Sequence, residues 1–217
     1  MTRDMRVADV GSGTGILTEQ LLQNGNPVFG IEPNSEMRRA AERQLAGFPN
    51  FTSVEARAEA TTLPDRSVGL VVAAQSFHWF NRSAVREEFR RIIEPGGCVA
   101  LMWNDRRLDS AFARAYEQFL LEHGVDYAQV NHRQIGDATL REFFAPSPME
   151  KRVLSNTQIL DAKGFKGRVS SASYAPEPGH PKHEPMRAAL VALFEAHQRN
   201  GRVTLEYDTL VFWGRLA

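Results

Sequence analysis

The chain reads Val7-Ala8-Asp9-Val10-Gly11-Ser12-Gly13-Thr14-Gly15 at residues 7–15, an apolar run that ends in three closely spaced glycines. Apolar residues then recur at helical spacing over residues 16–22, so the pattern predicts a strand, a tight turn and a helix. Glycines let the backbone approach a ligand closely, and the N–H groups at the start of a helix attract an anionic group. We therefore expect a ligand to bind at this turn.

Further apolar runs of strand length alternate with helical segments through the first half of the 217 residues, which is typical of βαβ units. We predict an α/β fold with a doubly wound, Rossmann-like, seven-stranded sheet that is mostly parallel and has an antiparallel last strand. Strands are predicted at residues 5–10, 28–32, 51–56, 68–74, 98–103, 151–156 and 203–213, with turns at 63–67 and 94–97.

The alternation changes after Asn104, where only one good helix, at residues 111–122, precedes a stretch of short pieces. We therefore assign residues 1–104 to a ligand-binding α/β core and residues 105–200 to a helical cap. The cap would include the sixth strand and the region that binds substrate. Residues 201–217 would supply the last strand of the core sheet.

Two acidic residues restrict the ligand of the glycine turn. A dinucleotide loop has the pattern G-x-G-x-x-G, but here Ile16 stands where that pattern needs glycine or alanine, which weakens a nicotinamide assignment. The charge of Asp9 suits an ammonium group better than a pyrophosphate. Glu32 follows Gly11 by 21 residues, where a carboxylate can accept hydrogen bonds from both ribose hydroxyls. A nucleoside with an amino acid tail, such as S-adenosylmethionine, has this polarity.

At these residues the chain resembles the class I S-adenosylmethionine-dependent methyltransferases, from Asp9 through Trp103. Residues 7–15 resemble the first motif of the family, 30–33 its ribose-binding step, 63–65 with 70–74 the approach to its fourth strand, and 94–97 the turn before its fifth strand. The resemblance implies that the cofactor S-adenosyl-L-methionine contacts Asp9, Gly11, Ser12, Gly13, Gly15, Glu32, Ala58, Glu59 and Gln75.

The chain departs from the family pattern at two places. Arg57 stands where family members commonly place an acid that meets the adenine amino group, so Glu59 or the backbone around Ala58 is expected to take that role. Relatives also carry a helix or two before the first strand. Either the start is truncated, or cofactor binding is weaker, or the inserted segments compensate.

A second set of residues is similar to a small-molecule subgroup that includes trans-aconitate methyltransferase-like proteins. This set comprises residues 74–80, 103–104 and 207–208. His78 is the candidate catalytic residue, as a base or as a group that orients an acidic substrate, although it could simply pack between aromatic rings. The candidate substrate contacts are Trp79, Trp103, Asn104, Arg106 and Arg107. The paired arginines could form a fork for a carboxylate or lie in a solvated loop.

The composition excludes several classes of partner. The 26 basic residues balance 26 acidic ones, so the overall charge favours neither nucleic acid nor an anionic membrane. No apolar run approaches the roughly 20 residues of a membrane span, and no export signal is visible, so we expect a cytoplasmic protein. His123, His132, His180, His183 and His197 lack the spacing of a zinc site, and we expect no bound metal.

We therefore predict methyl transfer from S-adenosylmethionine to a small-molecule acceptor, for which the subgroup implies a carboxylate. Two alternatives stay open. One is a non-catalytic S-adenosylmethionine-binding module, because the family's N-terminal helices are not in this sequence. The weaker one is a nicotinamide-dependent oxidoreductase. The sequence gives no indication of the oligomeric state.

Overall fold

The computed structural model describes residues 2–127, 135–172 and 174–217. Within them the strands are β1 (Val7–Val10), β2 (Val28–Ile31), β3 (Phe51–Val54), β4 (Val68–Ala74), β5 (Ile93–Arg106), β6 (Met149–Asp161) and β7 (Arg202–Gly214). The α-helices are α1 (Ile16–Gln23), α2 (Ser35–Gln44), α3 (Arg82–Ile92), α4 (Ala111–His123), α5 (Asp137–Phe144), α6 (Ala162–Ser170) and α7 (His183–His197), and a short 3₁₀ helix covers Phe77–Trp79.

The seven strands form one sheet in the order β3-β2-β1-β4-β5-β7-β6. Pairing is parallel between β1 and β2, β2 and β3, β1 and β4, and β4 and β5, and β7 is the antiparallel strand inserted between β5 and β6. The predicted α/β sheet is confirmed. Because Val10 pairs with Ile31, the glycine turn after β1 and Glu32 after β2 emerge side by side at the carboxyl edge of the sheet.

The central strands are buried on both faces, which explains why they read as continuous apolar runs. All four residues of β1 are buried, and side chains alternate between two core clusters. Ala8 and Val10 belong to a cluster that includes Phe77 and Phe89. Val7 belongs to the other, which α1 and α2 cover on the opposite face. This burial holds the ends of β1 and β4 in fixed positions.

The strand β6 is longer than predicted, and β5 and α6 also differ from the sequence-based expectations. The predicted turn at residues 94–97 lies within β5, which starts five residues earlier than expected. Val68 pairs with Ile93 and Leu70 with Cys98, so residues 94–97 bulge out opposite the single residue Gly69. The turn signal of the Pro-Gly-Gly sequence therefore appears as an irregularity inside a strand. Helix α6 was not predicted, because its two glycines weaken the helical pattern.

The chain divides into two compact units. The first consists of Met1–Trp103, Ile135–Arg152 and Leu210–Ala217, and the second of Asn104–Gln134 and Val153–Thr209. The sequence pattern predicts one cap over residues 105–200, whereas 135–152 group with the first unit. The physical reason is that Phe143 and Phe144 of α5 pack with Phe77 in its core.

Candidate cofactor site

The glycine turn after β1 has three residues in the left-handed region. The φ angles are +71° at Gly11, +57° at Gly13 and +87° at Gly15. A Cβ on Gly11 would lie 2.5 Å from Cβ of Ser76, and one on Gly15 would lie 2.9 Å from Cδ1 of Leu45. A Cβ on Gly13 would meet nothing within 4 Å. Gly11 and Gly15 therefore serve the packing of the turn, while Gly13 borders open space that a ligand can enter.

Asp9 lies beneath this turn, with 1% of its surface exposed. The Thr18 hydroxyl donates to its Oδ2 at 2.6 Å, so the carboxylate is held by the first turns of α1. Burial raises the pKa of Asp9 to about 6; hydrogen bonds from Thr18 oppose the rise and the charge of Glu32 adds to it. A cation near this carboxylate would stabilise its ionised form, and the ammonium group of an amino acid tail has the right charge.

Glu32 connects the glycine turn to the start of α2. Its Oε2 accepts a hydrogen bond of 3.0 Å from the Gly13 N–H, and its Oε1 accepts one of 2.8 Å from the Asn34 N–H. Asn34 in turn caps α2 by accepting from the N–H groups of Glu36 and Met37. The carboxylate is 7% exposed. Each of its oxygens has a second lone pair, so it can still accept from ribose hydroxyls.

The residues expected on the adenine side are positioned by α3 and the end of β4. Ala58 is buried. Glu59 accepts a hydrogen bond of 2.9 Å from the Asn81 N–H, and its other oxygen lies 3.6 Å from Nε of Arg57. Gln75 is exposed and has a φ of +59°. The departure from the family pattern at Arg57 therefore leaves Glu59 as an acid that the structure holds in a defined place.

Ser76 and Thr18 were missed by the sequence analysis. The Ser76 hydroxyl donates to the Val10 carbonyl at 2.8 Å and links the carboxyl ends of β4 and β1. Thr18 is fully buried and holds Asp9. The only signal for either was a small hydroxyl residue just after a predicted strand end or in the first turns of a predicted helix.

The aromatic run after β4 divides between core and surface. Phe77 is fully buried, and its ring centroid lies 4.8 Å from that of Phe143. Trp79 is 59% exposed, with its ring centroid 4.9 Å from that of the half-buried His78. Of the two candidates for acceptor contact in this run, Trp79 therefore offers an accessible aromatic face.

The candidate substrate residues at the end of β5 are engaged by neighbours. Trp103 is 4% exposed, with its ring 6.2 Å from Phe77, so it forms part of the core of the first unit. In the second unit, Oδ1 of Asn104 accepts a hydrogen bond of 2.6 Å from the Thr209 hydroxyl.

Arg106 and Arg107, which follow Asn104 in the second unit, have separate carboxylate partners. Arg106 is buried against Glu117, and Arg107 pairs with Asp109. Arg106 is the last residue of β5, and Arg107 lies just beyond the strand. The structure therefore does not bring the two guanidiniums together as one fork.

The described part of the chain offers neither a metal-binding cluster nor a membrane-spanning helix. No group of three or more His, Cys, Asp or Glu side chains there could hold a metal ion. His132 lies outside the described residues. No helix among the described segments is long and apolar enough to cross a membrane.

Comparisons with known proteins agree with this geometry. Residues 8–101 match the family model described as a methyltransferase domain. An uncharacterized methyltransferase of Mycobacterium tuberculosis is 29% identical over 215 residues, which are 98% of this chain and 84% of the relative. The chain is an S-adenosylmethionine-dependent methyltransferase. An uncharacterized methyltransferase-like protein of Schizosaccharomyces pombe is 32% identical to the enzyme over 101 residues, 46% of this chain and 38% of that protein.

Solved structures share the fold of the enzyme. A proposed type II methyltransferase from Anaeromyxobacter dehalogenans superposes with a TM-score of 0.70 at 22% identity, covering 97% of this chain and 89% of that one. Geranyl diphosphate C-methyltransferase from Streptomyces coelicolor has a TM-score of 0.53 at 13% identity, covering 99% and 72%, and its structure is a complex with Mg²⁺, geranyl diphosphate and S-adenosyl-L-homocysteine. At these identities the likeness concerns the fold alone.

The site fits the cofactor of this class of enzyme. S-adenosyl-L-methionine carries an ammonium, a carboxylate and a ribose. The open space at Gly13 and the buried carboxylates of Asp9 and Glu32 provide matching groups. The comparisons give no support to the nicotinamide alternative.

Proposed function

We propose that the enzyme methylates a small-molecule acceptor that carries a carboxylate, as in the trans-aconitate methyltransferase-like subgroup, and that it acts in the cytoplasm without a nucleic acid or membrane partner. The observation that supports cofactor binding by the first unit is the hydrogen bond from Gly13 to the buried Glu32 beside open space. We assign the selection of the acceptor to residues 105–200.

Different residues of the first unit contact different parts of the cofactor. Asp9 and the loop formed by Gly11, Ser12, Gly13 and Gly15 hold the amino acid tail, with Asp9 opposite the ammonium group. Glu32 accepts hydrogen bonds from the ribose. Ala58, Glu59 and Gln75 contact the adenine. When bound, S-adenosylmethionine supplies a methyl group on a sulfonium that is already activated for in-line displacement.

The chemical class of the acceptor determines which catalytic groups the protein must supply. A carboxylate is ionised at pH 7, so the enzyme needs only to orient it and exclude water, and rate enhancement comes mainly from positioning. In that case His78 and Trp79 of the first unit border the acceptor. A hydroxyl or amine acceptor would instead require His78 to accept a proton.

Isothermal titration calorimetry tests the cofactor site first. We expect micromolar binding of S-adenosylmethionine and S-adenosylhomocysteine, no binding of NAD, and a large loss of affinity in Asp9→Ala. An acceptor screen with small carboxylic acids then follows the formation of S-adenosylhomocysteine. Cofactor binding without turnover on any acceptor would favour a non-catalytic binding module. Failure of the folded wild type to bind the cofactor would overturn the proposal.

A further inference from the structure

The second unit contains an arginine whose charge has no carboxylate partner among the residues that the structure describes. Arg168, in α6, donates a hydrogen bond of 3.4 Å to the hydroxyl of Tyr207. Its Nε–H group is buried and has no acceptor in the described part of the chain. The ionisable groups that act on it are Tyr207, Tyr116 and Tyr174, and none of these is a carboxylate.

A second arginine of the same unit, Arg106, has a carboxylate that compensates its charge. Arg106 pairs with Glu117, donates to the Tyr127 hydroxyl at 3.1 Å and lies 4.4 Å from the ring centroid of Tyr116. Tyr116 therefore acts on both guanidiniums, and the carboxylate of Glu117 pairs with Arg106. Buried charges in proteins are normally paired, because taking an ion out of water is costly. The unmatched positive charge at Arg168 therefore favours the binding of an anion.

The tyrosines around Arg168 cannot supply that anion themselves. Burial raises the pKa of Tyr116 and of Tyr174, so both remain neutral phenols at physiological pH. A phenol hydroxyl can donate a hydrogen bond to a bound oxyanion. Arg168 as a whole residue is partly exposed, although its Nε is buried. Phe165, whose ring centroid lies 5.2 Å from that of Tyr116, belongs to the same apolar cluster as Tyr116.

We propose that Arg168, with Tyr207 beside it, binds the carboxylate of a small apolar acid in the second unit. A planar guanidinium presents two parallel N–H donors that match one carboxylate. The identification of this acid as the methyl acceptor rests on the proposed function. The anion site itself rests only on contacts within the second unit.

The test compares benzoate, succinate and inorganic phosphate, with benzamide as the neutral control, by calorimetry on the full chain with and without S-adenosylhomocysteine. We expect benzoate to bind and benzamide not to bind. Arg168→Met should weaken benzoate binding by about 10- to 100-fold, as for loss of a hydrogen-bonded charge, and Arg168→Lys should retain part of it. Arg187→Met in α7, which removes an exposed arginine paired with Glu184, is the matched control and should bind like the wild type.

Thermal unfolding separates a binding role from a structural one. Because the charge of Arg168 is uncompensated, Arg168→Met should unfold at the same temperature as the wild type or higher. A lower unfolding temperature together with unchanged benzoate binding would mean a structural role and would overturn the proposal. Absence of benzoate binding to the wild type, or tighter binding of phosphate, would also overturn it.

The same measurements distinguish failure of the carboxylate site from failure of the proposed cofactor site. Binding of S-adenosylhomocysteine without binding of benzoate would reject the carboxylate site alone. Binding of benzoate without binding of S-adenosylhomocysteine would reject the cofactor site and leave the carboxylate site standing.

Discussion

The glycine turn of the first unit and the arginine–tyrosine cluster of the second hold buried charges in different ways. Around Asp9 and Glu32, backbone N–H groups and one hydroxyl donate hydrogen bonds to the carboxylates. Around Arg106 and Arg168, the partners are side chains of other elements, Glu117 of α4 and Tyr207 of β7. The first arrangement is set by strand ends and can be read locally. The second depends on tertiary packing, and its charges are only partly matched.

The largest effect is expected from breaking the matched pair in the second unit. Glu117→Gln removes the charge that neutralises Arg106 and should lower the free energy of unfolding by about 3 kcal/mol, since it leaves a buried cation uncompensated. Urea denaturation measures the change. Glu122→Gln, on the exposed side of the same helix, is the control and should change little. If Glu117→Gln and Glu122→Gln lowered the free energy of unfolding equally, the buried pair would contribute no more than an exposed carboxylate does.

Alanine substitutions in the glycine turn should destabilise the fold by amounts that depend on the position substituted. Gly11→Ala combines a left-handed backbone with a clash against Ser76 and should destabilise the fold by about 2 to 3 kcal/mol. Gly13→Ala meets open space and should cost about 1 kcal/mol from backbone strain alone. Denaturation midpoints test this order. If Gly13→Ala proved the more damaging, Gly13 would have a packing role that its surroundings do not indicate.

Glu32→Gln should separate binding from stability in the first unit. Glutamine keeps the shape but loses the charge that receives hydrogen bonds from ribose hydroxyls, so affinity for S-adenosylhomocysteine should fall about 10- to 100-fold. Glu36→Gln in the first turn of α2 is the exposed control. Calorimetry compares the two. Similar affinities for both variants would contradict the assignment of the ribose to Glu32.

The pH dependence of Asp9 should give the smallest effect. Burial raises the pKa of Asp9 to about 6, so the folded chain favours the protonated form and stability should fall as pH rises from about 4 to 6. The cofactor ammonium favours the ionised form, so affinity should rise about tenfold as pH passes upward through 6. Asp9→Asn should flatten both profiles. A wild-type affinity that does not vary between pH 5 and 7 would argue against contact with the ammonium.

The sequence predicted what depends on local pattern. Continuous apolar runs located β1 and β4. The glycine spacing with Glu32 predicted the turn that we propose binds the cofactor, because these signals lie close together in sequence or at a fixed βαβ distance. Helix α6 was missed, although Asp161 caps it by accepting from the Gly164 N–H at 2.7 Å. Arg168 was missed as well. Its significance arises only when α6 packs near Tyr207, and no local pattern records that contact.

The hydrogen bond from Gly13 to Glu32 gives the cofactor site its own spectroscopic marker. An amide proton donated to a carboxylate resonates downfield of most backbone amides, and a glycine amide is easy to assign by isotope labelling. That carboxylate accepts from the Gly13 N–H, so a ligand that enters beside Gly13 would change the surroundings of this amide. A single NMR signal can therefore report occupancy of the site, without an acceptor and without turnover.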